Sequence, residues 1–254
     1  MDISAIIEYI KSLPVEEITL EKVAEKFHYH PAYLSRKFTQ ETGVSFRKYV
    51  ESLKIQRGKQ KLLEDSASVT EISGESGYEF SNNFSASFKK HTGITPRSYL
   101  DSSSRAYRFM RRFLDKRGAV VHHSQKGSTN NKLTIDLIYP TEHEGGIHFV
   151  GIFPDALPNQ TPVVGVATTV PSGITLSNIP SGMYYLLACE LDPHITFFSA
   201  FLMEDNYRGR GERVYQFGGN DHYQVELEMR PPQPEDPAIT FNLLKLLMDL
   251  MEKR

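Results

Sequence analysis

Two folds in series are what these 254 residues predict. An all-α front portion ends near position 101, and a mainly-β portion begins near 132. Three observations carry this. Apolar residues recur at helical spacing through the front portion. A block of letters repeats there, "YLSRKFTQETGVSFRKY" at 33–49 matching "NFSASFKKHTGITPRSY" at 83–99. Beyond 132 the texture turns to short runs rich in β-branched and aromatic residues, bounded by Gly, Pro and Asn.

In "ISAIIEYIKSL" the apolar residues at 3, 6, 7, 10 and 13 share one helical face. Thr19 caps "LEKVAEKF", whose Leu20, Val23, Ala24 and Phe27 do the same. His28-Tyr29-His30 breaks the pattern, and Pro31 suits the first position of a new helix. That helix turns Tyr33, Leu34 and Phe38 inward and leaves Ala32, Ser35 and Arg36 outward. Two short helices joined by a tight turn, the second polar on its free face, form a helix-turn-helix. A longer helical run follows from about 46 to 65, and then the pattern recurs. "VTEISGES" reads as a short helix, Gly77 as the turn, and "SNNFSASFKK" as a second outward helix. Phe84 and Phe88 face inward there, while Ser81, Asn82, Asn83, Ser85, Ala86 and Ser87 face outward.

The stretches "TLEKVAEKF", "PAYLSRKF", "TGVSFRKYV" and "VTEISGESGYEFSNNFSASFKKHTGITPRSYL" resemble the DNA-binding domain of the AraC/XylS family of bacterial transcription regulators, over residues from about 5 to 101. The resemblance implies a seven-helix domain with two helix-turn-helix units joined by a long helix. It also implies double-stranded DNA and RNA polymerase as partners, and a cytoplasmic regulator, with activation the usual mode. The chain departs from the family pattern at four places. His28 stands where glycine is usual, His30 where a small polar cap is usual, Ala86 where arginine is common, and Gly58 where alanine is usual. Histidine tolerates a left-handed backbone better than most residues, so the first turn is expected to survive with some strain. Without an arginine at 86, the first unit is expected to carry most of the discrimination. Gly58 costs roughly 1 kcal/mol of helix propensity and leaves room for flexing.

The chemistry suits DNA. A connecting helix of about 18 residues spans roughly 27 Å, close to one DNA turn of ~34 Å, so two recognition helices can enter successive major grooves. The base-contact candidates are Ala32, Ser35 and Arg36 in the first unit and Ser81, Asn82, Asn83, Ser85 and Ala86 in the second. Arg36 can donate two bonds to the guanine edge; its other reading is a phosphate or an acidic neighbour. Asn82 or Asn83 can pair with adenine, or bond phosphate or water. Lys37, Ser87, Lys89 and Lys90 are phosphate-contact candidates that position without specifying.

Charge divides unevenly along the chain. Residues 1–100 carry 14 Lys/Arg against 13 Asp/Glu, residues 101–131 carry 7 against 2, and residues 132–254 carry 8 against 16. A mildly basic front and an acidic rear fit one part meeting a polyanion while the other stays clear of it. The domain reading is therefore 1–101 for the helix-turn-helix domain, 102–131 for a basic helical linker, and 132–254 for the β-rich domain. "SSRAYRFMRRFLDKRGAVVHH" reads as a continuing helix. Arg111 and Arg112 on it either touch phosphates or solvate a linker.

In the rear portion "KLTIDLIY", "IHFVGIF", "PVVGVATTV", "GITLSNIP", "GMYYLLACEL" and "YQVELEMRP" read as strands, and six or seven of them suggest a β-sandwich. "GITLSNIPSGMYYLLACEL" resembles, over few residues, the strand pair of transthyretin-like sandwich modules. The competing picture is an α+β effector-binding domain, whose pair of amphipathic helices is not evident between 133 and 235. Tyr184, Tyr185, Phe197, Phe198 and Phe201 either line a ligand pocket or fill the core. "AITFNLLKLLMDLMEKR" is a terminal helix with Leu243, Leu246, Leu247 and Leu250 on one face, packed on its own domain or on a second copy in a homodimer.

Other classes find little support. There is no phosphate loop, dinucleotide glycine motif or nucleophile elbow, so enzyme activity and cofactors are not expected. The nine histidines show no metal-ligand spacing, and the single cysteine, Cys189, sits in an apolar run, where a buried inert thiol is expected. No apolar run is long enough to span a membrane, and "MDISAIIEYI" lacks the features of a secretion signal. The expected function is sequence-specific DNA binding controlled through the rear domain by a small molecule. The alternative is a DNA-bound adaptor whose acidic domain docks a partner protein.

Overall fold

The computed structural model describes residues 1–64, 81–115, 118–124, 129–140, 145–157, 161–194 and 196–252, apart from the side chains of 81, 82 and 249–252. The short helix expected in "VTEISGES" and the turn at Gly77 lie outside the described residues. The described chain forms two compact units. One comprises Met1–Leu100 with Gln233–Thr240, and the other Asp101–Pro232 with Phe241–Arg254.

The first unit is helical. Helix α1, Ile3–Ser12, starts where the Asp2 carboxylate accepts from the Ala5 amide at 3.1 Å, and it buries Ile6, Ile7 and Ile10. A single 3-10 turn, Val15–Glu17, leads to α2, Leu20–Lys26, capped by the Thr19 hydroxyl as its sequence predicts. Helices α3, Pro31–Thr42, α4, Phe46–Glu64, and α5, Ser81–Thr92, follow, and α6, Pro96–Asp115, begins in this unit and counts with the second from Asp101 on. Arg57 of α4 donates to the carbonyls of Leu13 and Lys11 at 2.9 and 2.7 Å, satisfying acceptors where α1 ends. Helix α4 runs unbroken through Gly58, which is buried.

Gln233–Thr240, assigned from sequence to the β-rich domain, belongs to the helical unit instead. Ser4 Oγ donates to Glu235. The Pro234 carbonyl accepts from Lys11 Nζ and from the Tyr49 hydroxyl, each at 3.2 Å. Buried Lys59 donates to the Ile239 carbonyl at 3.1 Å. The segment thus lies across α1 and α4 as a strap.

The second unit holds two sheets. Strands β1 (Ala119–His123), β3 (Ile147–Phe153), β4 (Val164–Thr168), β6 (Gly182–Leu191) and β7 (Arg208–Phe217) make an antiparallel sheet in the order β1-β4-β3-β6-β7. Strands β2 (Lys132–Ile138), β5 (Ile174–Ser177) and β8 (His222–Glu228) make another, in the order β5-β2-β8, with β2 and β8 parallel. Leu133, Ile135, Val150, Ile152, Leu186 and Leu227, drawn from both sheets, meet in one buried core. Strands β3 and β4 are buried at every position, His148 and Thr168 included. Their partnered glycines, Gly151 and Gly165, let the Pro162 ring approach; a Cβ at either would stand 2.9 or 2.8 Å from it.

All six strands expected from the sequence are present. The helix expected to run on through "GAVVHH" ends at Asp115, and Ala119–His123 is an edge strand instead. Residues from Asp101 on count with the β-rich unit rather than with a separate linker. Strand β7 and the short helix α7, Phe197–Leu202, were not anticipated. The terminal helix α8, Leu243–Glu252, packs on β1 within its own unit. It buries Leu243, Leu244, Leu247 and Met248, whereas Leu246 is half-buried; the side chain of Leu250 lies outside the described residues.

Candidate nucleic-acid interface

The helical unit presents two helices built by the same local rules. In the first, α2 ends in a left-handed residue, His28 (φ 57°), and the Tyr29 amide returns to the Ala24 carbonyl at 2.9 Å. A non-glycine at that angle stores strain, as its sequence predicts. His30 then caps α3 through its ring: Nδ1 accepts from the Ala32 amide at 3.3 Å, and Pro31 fills the first helical position.

The ends of α3 and α5 repeat fifty residues apart. Gly43 (φ 75°) and Gly93 (φ 82°) each stop a helix, with amides 2.9 Å from the Thr39 and Lys89 carbonyls. The hydroxyls of Thr42 and Thr92 each donate to a carbonyl one turn back, Phe38 or Phe88, at 2.8 Å. Each also sits within hydrogen-bond reach of both the amide and the carbonyl of Val44 or Ile94. Phe38 meets Tyr49 edge-on at 5.3 Å, and Phe88 meets Tyr99 edge-on at the same distance. These are the inward Phe, the Gly and the closing Tyr of the repeated letters.

What the two helices leave outward also matches. From 34 to 40 and from 84 to 90 the order of buried, half-buried and exposed residues is identical. Ala32 and Arg36 are exposed and Ser35 is half-buried. Arg36 carries its guanidinium 5.9 Å over the Tyr33 ring, and among the described residues it pairs with no carboxylate. Tyr33, expected inward, is half-buried. Lys37 pairs with Glu41 at 3.5 Å on its own helix. In α5, Asn83 and Ala86 are exposed and Ser85 is half-buried; the side chains of Ser81 and Asn82 lie outside the described residues. Lys89 and Lys90 are exposed, Lys90 3.9 Å from Glu51. Ser87 donates to Glu51 at 3.1 Å.

Glu51 of α4 gathers Ser87, Lys90 and His91 from α5. The His91 Nε2 stands 3.2 Å from Oε1. The His91 ring beside it, with the charge of Lys90 and the Ser87 bond, holds the carboxyl down at about 2 against the cost of its burial. His91 was not anticipated as a site residue; its signal is that it stands where the first repeat has Glu41.

The remaining candidates belong to the β-rich unit. Arg111 donates to the Pro193 carbonyl at 2.6 Å, and Arg112 lies 6.0 Å over Phe109. The aromatic set is not one cluster. Tyr184 belongs to the core shared by the sheets, beside Phe217, while Tyr185 carries Arg210 over its ring. Phe197 and Phe201 stack with each other, Phe197 also meets Tyr107, and Phe198 is exposed. Cys189 is buried, and burial pushes its thiol up to about 12. No group of three metal-binding side chains and no helix long and apolar enough to cross a membrane occur among the described residues.

Comparison with known proteins bears on the helical part. Residues 23–102 match a family described as a helix-turn-helix domain. An uncharacterized HTH-type transcriptional regulator of Bacillus subtilis, YobQ, is 39% identical over 95 residues, 37% of this chain and 39% of YobQ. A second from the same organism, YtdP, is 43% identical over 83 residues, 33% of this chain and 11% of YtdP. The chain thus spans well under half the length of these relatives. Among solved structures, the C-terminal domain of AraT, a response regulator from Geobacillus stearothermophilus, is similar at 32% identity. The match covers 40% of this chain and 86% of that one, with a TM-score of 0.39. An AraC-type transcriptional regulator from Chromobacterium violaceum is similar at 25% identity, over 38% of this chain and 87% of that one, with a TM-score of 0.37. The family match ends at residue 102, ahead of every described strand, and the transthyretin-like resemblance of the β-rich unit gains no support.

Proposed function

On the premise that residues 23–102 form a helix-turn-helix domain of AraC type, we propose that the chain is a transcription regulator whose helices α3 and α5 read double-stranded DNA. The observation that carries this is the duplicated outward face: the same exposure order, the same threonine and glycine stop, and the same Phe–Tyr contact fifty residues apart. Arg36 is the base reader of the first unit and Asn83 the polar reader of the second, with Lys89 and Lys90 against phosphates. Helix α4 has 19 residues, about 28 Å at 1.5 Å per residue, a span suited to two major grooves one turn apart. RNA polymerase is the partner such a regulator acts on. The β-rich unit we read as a sandwich-like module that senses a small molecule, supported by its own two-sheet core.

Selection of genomic DNA fragments by the full-length chain at near-physiological salt tests the reading. Recovery of two short sequence blocks about one helical turn apart is expected. Enrichment of a single block, or of none, refutes tandem groove reading.

A further inference from the structure

One position breaks the correspondence between the tandem units. Glu41 is exposed, whereas its counterpart His91 is 1% exposed. What covers His91 comes from two places in the chain. Glu51 of α4 stands 3.2 Å from its Nε2. Thr240 of the strap, fully buried, places its Oγ1 3.2 Å from Nδ1. Nδ1 thus shares a hydrogen bond with the Thr240 hydroxyl, while Nε2 faces the Glu51 carboxylate at ion-pair distance. Turning the buried ring would break the Nδ1 bond to Thr240 and carry Nε2 away from the carboxylate. Among the described residues helix α3 has no counterpart to this arrangement; its Glu41 pairs along the helix with Lys37.

We infer that His91, held by Thr240 and Glu51, is a positioning residue for DNA reading, and that the strap Gln233–Thr240 sets the second recognition helix. The inference rests on the DNA-reading proposal above. His91 lies eight residues beyond Asn83 on α5, about 12 Å along one rigid helix, so fixing the ring fixes how Asn83 is offered to a groove. The strap's other anchors, Ser4, Lys11, Tyr49 and Lys59, sit on α1 and α4, which registers it to the body of the unit. Its flanking residues, Pro232 and Phe241, both count with the β-rich unit. The second reader is therefore set by a segment inserted between parts of the β-rich unit, and the first reader is not.

The test uses the full-length chain and two duplexes. One carries both selected blocks; in the other, the block insensitive to Arg36→Ala is scrambled. Thr240→Val, which removes the hydroxyl and keeps the shape, is expected to weaken binding to the intact duplex by about two- to tenfold. Binding to the scrambled duplex should not change, and Thr240→Ser should restore the loss. Equal weakening on both duplexes, or none on either, overturns the positioning role. A wild-type chain that binds both duplexes equally well refutes second-unit reading itself, and the inference with it; that pattern is visible before any strap variant is made.

Discussion

Glu51→Gln isolates the charge that joins α4 to α5. The wild-type carboxylate stands 3.2 Å from the His91 Nε2, accepts from Ser87 and faces Lys90 from the same helix. These hold its pKa at about 2, against an ordinary 4.5. Taken whole, that difference corresponds to about 3 kcal/mol. The carboxylate is still partly exposed, so solvent screening reduces the expected stabilisation to about 1–2 kcal/mol. Because the folded pKa lies below the unfolded one, the stabilisation is complete above about 4.5 and disappears as pH falls toward about 2. Native-state hydrogen exchange of the α4 and α5 amides measures it locally. Wild type should exceed Glu51→Gln by about 1–2 kcal/mol at pH 7, and the gap should narrow steadily between pH 4.5 and 3. A gap that stays constant over that range, or is absent at pH 7, would refute an electrostatic latch.

Three further outcomes are expected. Arg36→Ala should cost about 1–3 kcal/mol at its cognate base pair and relax preference there; equal loss on every sequence in a binding array would make Arg36 a phosphate contact. Replacing Arg111 and Arg112 with alanine should leave the slope of log affinity against log salt unchanged, since Arg111 is engaged by the Pro193 carbonyl; a slope flatter by about 1–2 would place these arginines on DNA. Cys189 should resist thiol reagents at pH 8 in the folded chain and react once urea unfolds it, because its thiol is buried and pushed up to about 12; rapid labelling of the native chain would contradict the packing of β6.

The parts legible in the sequence are those that local rules dictate. Thr19, Pro31, Gly43 and Gly93 punctuate helices by backbone chemistry that acts within four residues, and the inward phenylalanines follow helical periodicity. Strands β3 and β4 showed in their β-branched and aromatic content. Strand β7 did not, because "RGRGERVYQF" is an edge strand whose arginines and glycines read as loop. Strand β1 was hidden behind the strong helical pattern that precedes it. The strap was invisible for a different reason. "QPEDPAIT" has no periodicity, and its partners stand 149 to 231 residues away, as Thr240 to His91 and Glu235 to Ser4. Burial of His91 was likewise unreadable, since the residue that covers one side of it comes from that strap.

The strap also orders events during synthesis. The ribosome adds about 5–20 residues per second, so the roughly 140 residues between Leu100 and Thr240 take about 7–28 s to make. Throughout that interval Met1–Leu100 has left the peptidyl centre without the segment that covers His91 and accepts from Lys59. Closure across 149 and 180 residues is the kind of long-range contact that forms late and slowly. A chain stalled in the β-rich unit would therefore carry the first outward helix complete and the second without its strap, so emergence of Gln233–Thr240, rather than of the helices, marks the point at which the second reader is set.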